Sequence, residues 1–166
     1  MRNLIAIPLL GLAVILQSSI IGQFPLLNGS ADIVLVLLTA WALQEAVTTS
    51  FQWAFLASVF VSLVSSLPWL VYFAGYMGII LLALLLQRRV WQVPMLAMFS
   101  VTFLGTTLMH ILTYLYLFFA GTTISLGDAM GLVTLPSVLL NMLIAIPVFG
   151  MMRDLAGWVF RSGASA

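Results

Sequence analysis

Long apolar runs separated by short polar breaks dominate this sequence. A helix needs roughly 17–25 apolar residues to cross the hydrocarbon of a bilayer, and six runs come close to that length. They lie at about residues 4–21, 32–47, 50–67, 70–87, 94–119 and 131–152. The breaks between them are rich in Pro, Gly, Ser, Asn or charged residues, as is typical of turns. The pattern predicts one all-α polytopic membrane domain over residues 1–166, with six transmembrane helices.

The boundary between the second and third runs is the hardest to place. One helix over residues 32–67 would be about 54 Å long at 1.5 Å per residue, whereas the hydrocarbon is only about 30 Å thick. The polar segment 44–50 therefore predicts a hairpin, and Thr49 with Gln52 predicts a capping box where the third helix starts. The first run is similar to a signal peptide, but no small-residue cleavage site follows it. We expect it to remain as a membrane span.

The composition predicts that lipid covers most of the surface. Only 5% of the residues are charged and 64% are hydrophobic, with a mean hydropathy of +1.25. A soluble domain carries about 25% charged residues, so this chain cannot build a polar shell. The net charge is +1 and there is no basic run, which predicts no nucleic-acid partner. Because there is no Cys, disulfides and thiolate metal sites are excluded.

The arginines predict the orientation of the helices. With six spans, all five fall on one side of the membrane, at positions 2, 88, 89, 153 and 161. The positive-inside rule then predicts that this side is cytoplasmic and that both termini lie there. Asp32 and Asp128 fall on the outer side, each near the start of a helix, where a carboxylate suits the positive end of the helix dipole.

The third run carries a stripe of small residues, Ala54, Ser58, Ser62 and Ser66, at i, i+4 spacing. Small residues let helices approach closely in lipid, where no hydrophobic effect drives helices together. The stripe favours packing within the bundle, and a partner helix lying against Ser58 and Ser62 is the alternative.

His110 shares a face of the fifth run with Thr102, Thr106 and Thr113. An ionisable residue inside a membrane span is a candidate functional residue. A zinc site, however, needs about four ligands, and His110 is the single histidine. We expect a hydrogen-bonded interior histidine, with a partner contact or a polar pocket as alternatives.

Asn141 lies between Pro136 and Pro147 in the sixth run. Each proline removes a backbone hydrogen bond and tends to kink a helix. We expect the Asn141 amide to bond the freed carbonyls or another helix, and pocket lining is the second possibility.

Gln17, Ser18 and Ser19 form a polar cluster late in the first run, and Glu45 lies in the predicted hairpin. Because a buried amide needs a hydrogen-bond partner, we expect the face of the cluster to point into the bundle. Glu45 is predicted to be a solvated loop acid, or a contact for a cytoplasmic protein. No catalytic or phosphate-binding motif occurs in the sequence, which predicts that the chain is not an enzyme and holds no cofactor.

Residues 14–45 resemble the bacterial rod shape-determining protein MreD. The first run ends in Leu16-Gln17-Ser18-Ser19, a short loop carries Phe24-Pro25, and Ala31-Asp32 opens the apolar run 33–38. The length and the closely spaced helices are also similar over essentially the whole chain. The third run departs from that family, because it lacks the usual glycines and the closing Asp. No role is carried over to that region.

The resemblance implies a non-catalytic subunit of the cell-elongation machinery in the bacterial cytoplasmic membrane. Such a subunit binds the bitopic protein MreC and helps connect MreB filaments to the peptidoglycan polymerase RodA and its transpeptidase. The implied fold is similar to the substrate-binding S components of energy-coupling-factor vitamin transporters. An S component is therefore the alternative function, and a small channel or exporter is a third. Oligomeric state stays open.

Overall fold

The computed structural model describes residues 5–19, 28–45, 47–89, 94–123 and 125–161, and the regular structure there is helical. The first five helices are α1 (Ala6–Ser19), α2 (Ile33–Ala42), α3 (Ser50–Val64), α4 (Trp69–Arg89) and α5 (Pro94–Phe119). The sixth, α6, consists of a short turn (Leu126–Asp128), a π-helical segment (Ala129–Thr134) and a long α-helix (Leu135–Arg161). The chain is therefore a helical membrane protein with one helix for each predicted run.

Helix length differs between the two halves of the chain. Three helical stretches are long and apolar enough to cross a bilayer: Trp69–Gln87, Pro94–Phe119 and Leu126–Phe160. By contrast α1, α2 and α3 have 14, 10 and 15 residues. The predicted bounds 32–47 and 50–67 are too long, because the backbone leaves the helix at Leu43 and at the extended Ser65. The predicted 131–152 is too short at both ends, and residues 4, 20 and 21 of the first run lie outside the described residues.

The hairpin between α2 and α3 is confirmed. Trp41 near the end of α2 stacks on Trp53 near the start of α3, with ring centroids 4.2 Å apart, and both indoles are buried. The predicted capping box is wrong. Thr49 does precede the helix, but its side chain makes no capping hydrogen bond. Its ψ of 12° is far from the extended conformation that usually places a capping hydroxyl over the first N–H groups.

The short helix α2 is the centre of the bundle. Every residue from Val34 to Ala42 is buried, and α2 contacts each of the other five helices. A helix that is apolar on all sides requires such surroundings. Protein rather than lipid therefore covers α2.

Consecutive helices run in opposite directions, so the bundle has two distinct ends. One end brings together the end of α1, the starts of α2, α4 and α6, and the C-terminal half of α5 around a cavity. We call this the cavity end. At the other end Trp41 contacts Phe160, and the Gln87 amide donates to the Leu43 carbonyl at 3.4 Å. We call this the arginine end, because it carries Arg153 and the ends of α4 and α6; Arg2 lies outside the described residues.

Candidate functional site

Residues 28–32 are extended and lie along the first half of α6. The backbone N–H groups of alternate residues in this segment all donate to α6. Asn28 donates to the Leu132 carbonyl at 3.2 Å, Ser30 to Ser137 Oγ at 3.0 Å, and Asp32 to Asn141 Oδ1 at 2.7 Å. Non-helical backbone is tolerated at membrane depth only when protein satisfies its polar groups in this way.

Two residues make this close approach possible. Pro136 has no N–H, so the Leu132 carbonyl loses its α-helical donor and is free to accept from Asn28. Gly29 has no side chain, and a Cβ there would lie 2.7 Å from the Val133 oxygen and 2.8 Å from Pro136 Cβ. The segment therefore fits α6 only with glycine at position 29.

The N-terminus of α2 is capped by side chains from two parts of the chain. Asp32 Oδ1 accepts the Leu35 N–H at 2.9 Å, and Gln17 Oε1 from α1 accepts the Val34 N–H at 3.2 Å. The first turn of a helix has no carbonyl partners of its own, so these acceptors satisfy donors that would otherwise be unpaired. The prediction that Asp32 lies at a helix start is confirmed.

Asn141 links three elements. It is fully buried; its Oδ1 accepts the Asp32 N–H, and its Nδ2 donates to Thr106 Oγ1 on α5 at 2.9 Å. Thr106 in turn donates to the Thr102 carbonyl at 2.7 Å. Of the two predicted roles for this amide, these bonds fit bonding across to other helices, whereas the carbonyl freed by Pro136 is satisfied by Asn28.

A cavity of about 310 Å³ lies beside this network at the cavity end. That volume is near the lower limit of small-molecule sites, which span about 300–1,000 Å³. Its polar lining residues are Gln17, Ser30, Asp32, Tyr72, His110, Thr113, Tyr114, Thr122 and Thr134. Apolar side chains, among them Leu67, Met109 and Phe118, complete the wall. Among the described lining residues Asp32 is the one with an acidic side chain, and none is Arg or Lys.

His110 is held at the cavity wall by the π-helical segment of α6. Its Nδ1 lies 3.0 Å from Thr134 Oγ1, and Thr134 Oγ1 donates to the Ala129 carbonyl at 3.1 Å. The Thr134 hydroxyl has one hydrogen, so both bonds form together only when His110 donates from Nδ1. In the neutral ring Nε2 is then a hydrogen-bond acceptor. His110 is therefore both a hydrogen-bonded interior histidine and a pocket residue, which were two of the three roles predicted for it.

Several predicted residues lie away from the cavity wall. Ser18 is exposed and its hydroxyl donates to the Ile15 carbonyl, so the prediction that Ser18 and Ser19 face inward is wrong. A serine that bonds its own helix needs no partner in the bundle. Ser58 is buried and Ser62 half-buried, each bonding a carbonyl of α3. Glu45 is exposed at the arginine end.

Other residues of the site were missed from the sequence. Tyr72, Tyr114 and Thr134 line the cavity, and Gly29 permits the contact with α6. Tyrosines near span ends are common interfacial residues, so nothing marks Tyr72 or Tyr114 as pocket residues. The Asn28-Gly29 pair is typical of a turn. Its packing against α6 involves residues more than 100 positions later, so the local sequence does not indicate it.

The chain matches no protein-family model, no curated protein and no solved structure. Among the described residues, no group of three or more His, Asp or Glu side chains could hold a metal ion. The fold and the site thus define the class of the protein: a helical membrane protein with a small cavity near one end, lined by apolar and polar side chains.

Proposed function

We propose that this chain is a non-catalytic subunit of the bacterial cell-elongation complex, similar to MreD. In this role it lies in the cytoplasmic membrane, binds an MreC-like single-span protein, and helps couple MreB-like filaments to a RodA-like polymerase and its transpeptidase. Six crossings, with both termini cytoplasmic, complete the proposal.

The observation that carries the proposal is that two residues from the elements resembling MreD, Gln17 and Asp32, lie together at the start of α2. The Leu-Gln-Ser-Ser element supplies Gln17 and the Ala-Asp element supplies Asp32, and these two side chains cap adjacent N–H groups, those of Val34 and Leu35. Two sequence elements that resemble MreD separately are thus parts of one structural junction. A chain with both elements at this spacing can build the same junction.

The length of the second segment supports its proposed crossing. The partners of residues 28–32 advance along α6 from position 132 to position 141, which is about 13 Å at 1.5 Å per residue. The ten residues of α2 add about 15 Å in the same direction. The sum is close to the hydrocarbon thickness of about 30 Å. A short helix can therefore cross the membrane together with an extended segment whose alternate N–H groups bond α6.

Purification of the tagged protein from its own host, in mild detergent after crosslinking, tests this proposal. We expect a single-span protein with a periplasmic coiled coil to be recovered in stoichiometric amount. We also expect loss of the protein to convert rod-shaped cells to spheres. Normal cell shape after depletion would count against the elongation role.

The cavity favours a second candidate function, the substrate-binding S component of a vitamin transporter. Such a subunit needs a pocket near the outer surface with convergent polar groups and aromatic walls. Gln17, Asp32, His110 and Tyr114 supply them in this chain. Recovery of paired ATPases in the same purification, together with loss of uptake of one vitamin on depletion, would favour this function over the first.

A further inference from the structure

We propose that the cavity at the cavity end binds a small, positively charged amphipathic molecule, an organic ammonium with an apolar or aromatic body. The inference deepens the second candidate function by naming the ligand class, and a scaffold subunit could carry the same site. It rests on the charge of the cavity wall, on its acceptors and on its aromatic rings.

The charge of the wall excludes anionic ligands. Asp32 contributes a carboxylate, and neither Arg nor Lys lines the cavity. The positive end of α2 offsets this little, because three N–H groups at its start, those of Asp32, Val34 and Leu35, already donate to Asn141, Gln17 and Asp32. Helix N-termini bind anions through free N–H groups, and these three are used.

The acceptors of the wall suit a ligand that donates hydrogen bonds. Asp32 is half-buried at the wall, so its carboxylate is partly removed from solvent, where an opposite charge is attracted more strongly than in water. His110, which donates from Nδ1 to Thr134, offers Nε2 as an acceptor. An ammonium group can donate to both kinds of acceptor at once.

The remaining wall suits the body of the ligand. Tyr72, Tyr114 and Phe118 contribute aromatic rings, and Leu67 and Met109 contribute apolar surface. Aromatic faces attract ammonium groups as well as apolar groups. The volume of about 310 Å³ suits a small molecule, such as one aromatic ring with a short side chain.

Three compounds of matched shape test the ligand class: phenethylamine, 2-phenylethanol and 3-phenylpropionate. The protein is held in uncharged maltoside micelles at pH 7, with empty micelles as the blank, and binding is followed by saturation-transfer NMR and thermal shift. We expect phenethylamine to bind at least about tenfold more tightly than the alcohol, because it adds a charge attraction to the same contacts. We expect no binding of 3-phenylpropionate. Equal binding of the three compounds, stronger binding of the anion, or no binding of the amine would overturn the proposal.

Two asparagine variants separate charge from structure. Asp32→Asn keeps an oxygen to cap α2, so the fold and the binding of 2-phenylethanol should persist while the advantage of phenethylamine disappears. Asp128→Asn is the matched control, since Asp128 is exposed, bonds Ser125 and is not a lining residue. An amine preference that survives Asp32→Asn, or one that is lost in Asp128→Asn, contradicts the assignment.

A cavity-filling pair checks the location. Thr113→Leu should weaken both phenethylamine and 2-phenylethanol, whereas Thr107→Leu on the same helix, outside the cavity lining, should weaken neither. Equal effects of the two variants would place binding elsewhere.

The ammonium group could belong to a free amine or to the headgroup of an aminolipid. Adding phosphatidylethanolamine or phosphatidylglycerol to the micelles distinguishes these sources. Competition by the first lipid alone identifies the headgroup, and no competition identifies a free amine; both results support the ligand class. Failure of all amine binding leaves the elongation role untouched, because that role is tested by cell shape and partner recovery.

Discussion

At the scale of single residues, the buried amide of Asn141 has partners that lie far away in sequence. Asn141 accepts from the backbone of Asp32 and donates to Thr106, so one amide joins α2, α5 and α6. In lipid, an average side-chain hydrogen bond contributes little, because the unfolded chain also finds partners. Leaving a buried N–H group without a partner costs more free energy than such a bond contributes. The Asp32 N–H group would be left in that state if Asn141 were removed.

Replacing Asn141 by Ala should therefore lower the free energy of unfolding by about 1–3 kcal/mol, because the Asp32 N–H and the Thr106 hydroxyl both lose a partner. Unfolding in mixed micelles with increasing denaturing detergent measures this loss. Thr107→Val is the control, since its hydroxyl bonds only the Phe103 carbonyl of its own helix among the described contacts. Equal effects of the two substitutions would argue against a linking role for Asn141.

Gly29 and Gly11 give a second matched pair at this scale. Gly29→Ala should cost about 1–3 kcal/mol or more, because the new methyl group would meet α6 backbone atoms that cannot move aside. Gly11→Ala, within α1 and with nothing within 4 Å of the added atom, should stabilise the protein by up to about 1 kcal/mol. The same unfolding assay compares the two variants. If Gly29→Ala changed the free energy of unfolding no more than Gly11→Ala does, the close contact at Gly29 would be contradicted.

At the scale of elements, burial along α3 changes from one end to the other. Along the small-residue stripe Ala54 and Ser58 are fully buried, Ser62 is half-buried, and Ser66, just past the end of the helix, is exposed. The small-residue stripe therefore enters the bundle at its start and reaches the surface at its end. Its first part serves packing within the molecule, and its last part is the portion that a partner helix could reach.

Substitutions along the stripe should follow this gradient. Ser58→Leu should cost about 1–3 kcal/mol by overpacking, whereas Val64→Leu, at an exposed position (61%) on another face of α3, should have almost no effect. Ser62→Leu should reduce the yield of the partner complex or the thermal stability by blocking close approach of a helix. Unchanged yield together with unchanged stability of the Ser62→Leu variant would show that this position faces lipid.

At the scale of the whole molecule, the alternating helices separate the cavity from the arginine end. This arrangement predicts opposite accessibility for Glu45 and Thr122, which lie in connections at the two ends. Because the chain has no Cys, single Glu45→Cys and Thr122→Cys variants need no background removal. In intact cells a membrane-impermeant maleimide should label Thr122→Cys at once and Glu45→Cys only after permeabilisation. The reverse pattern would place the arginine end outside and contradict the positive-inside prediction.

The number and order of helices could be predicted from the sequence because six apolar runs are separated by clear turn residues. The short length of α2 could not be predicted. Irregular backbone beside this helix is tolerated because five other helices surround it, and no local stop signal in the sequence shows that. Gln17, Asp32, His110 and Asn141 stood out as polar groups that need partners. Which partners they have depends on contacts between distant segments, and periodicity along the chain carries no information about those.

The bond between Asp32 and Asn141 also constrains the order of events during biosynthesis, because 109 positions separate the two residues. A ribosome adding about 5–20 residues per second needs roughly 5–20 seconds to make the intervening chain. Throughout that interval the second helix lacks the amide that later accepts a hydrogen bond from its leading N–H group. The nascent protein must therefore wait, sheltered by the insertion machinery or by water at the bilayer surface, until its last helix arrives.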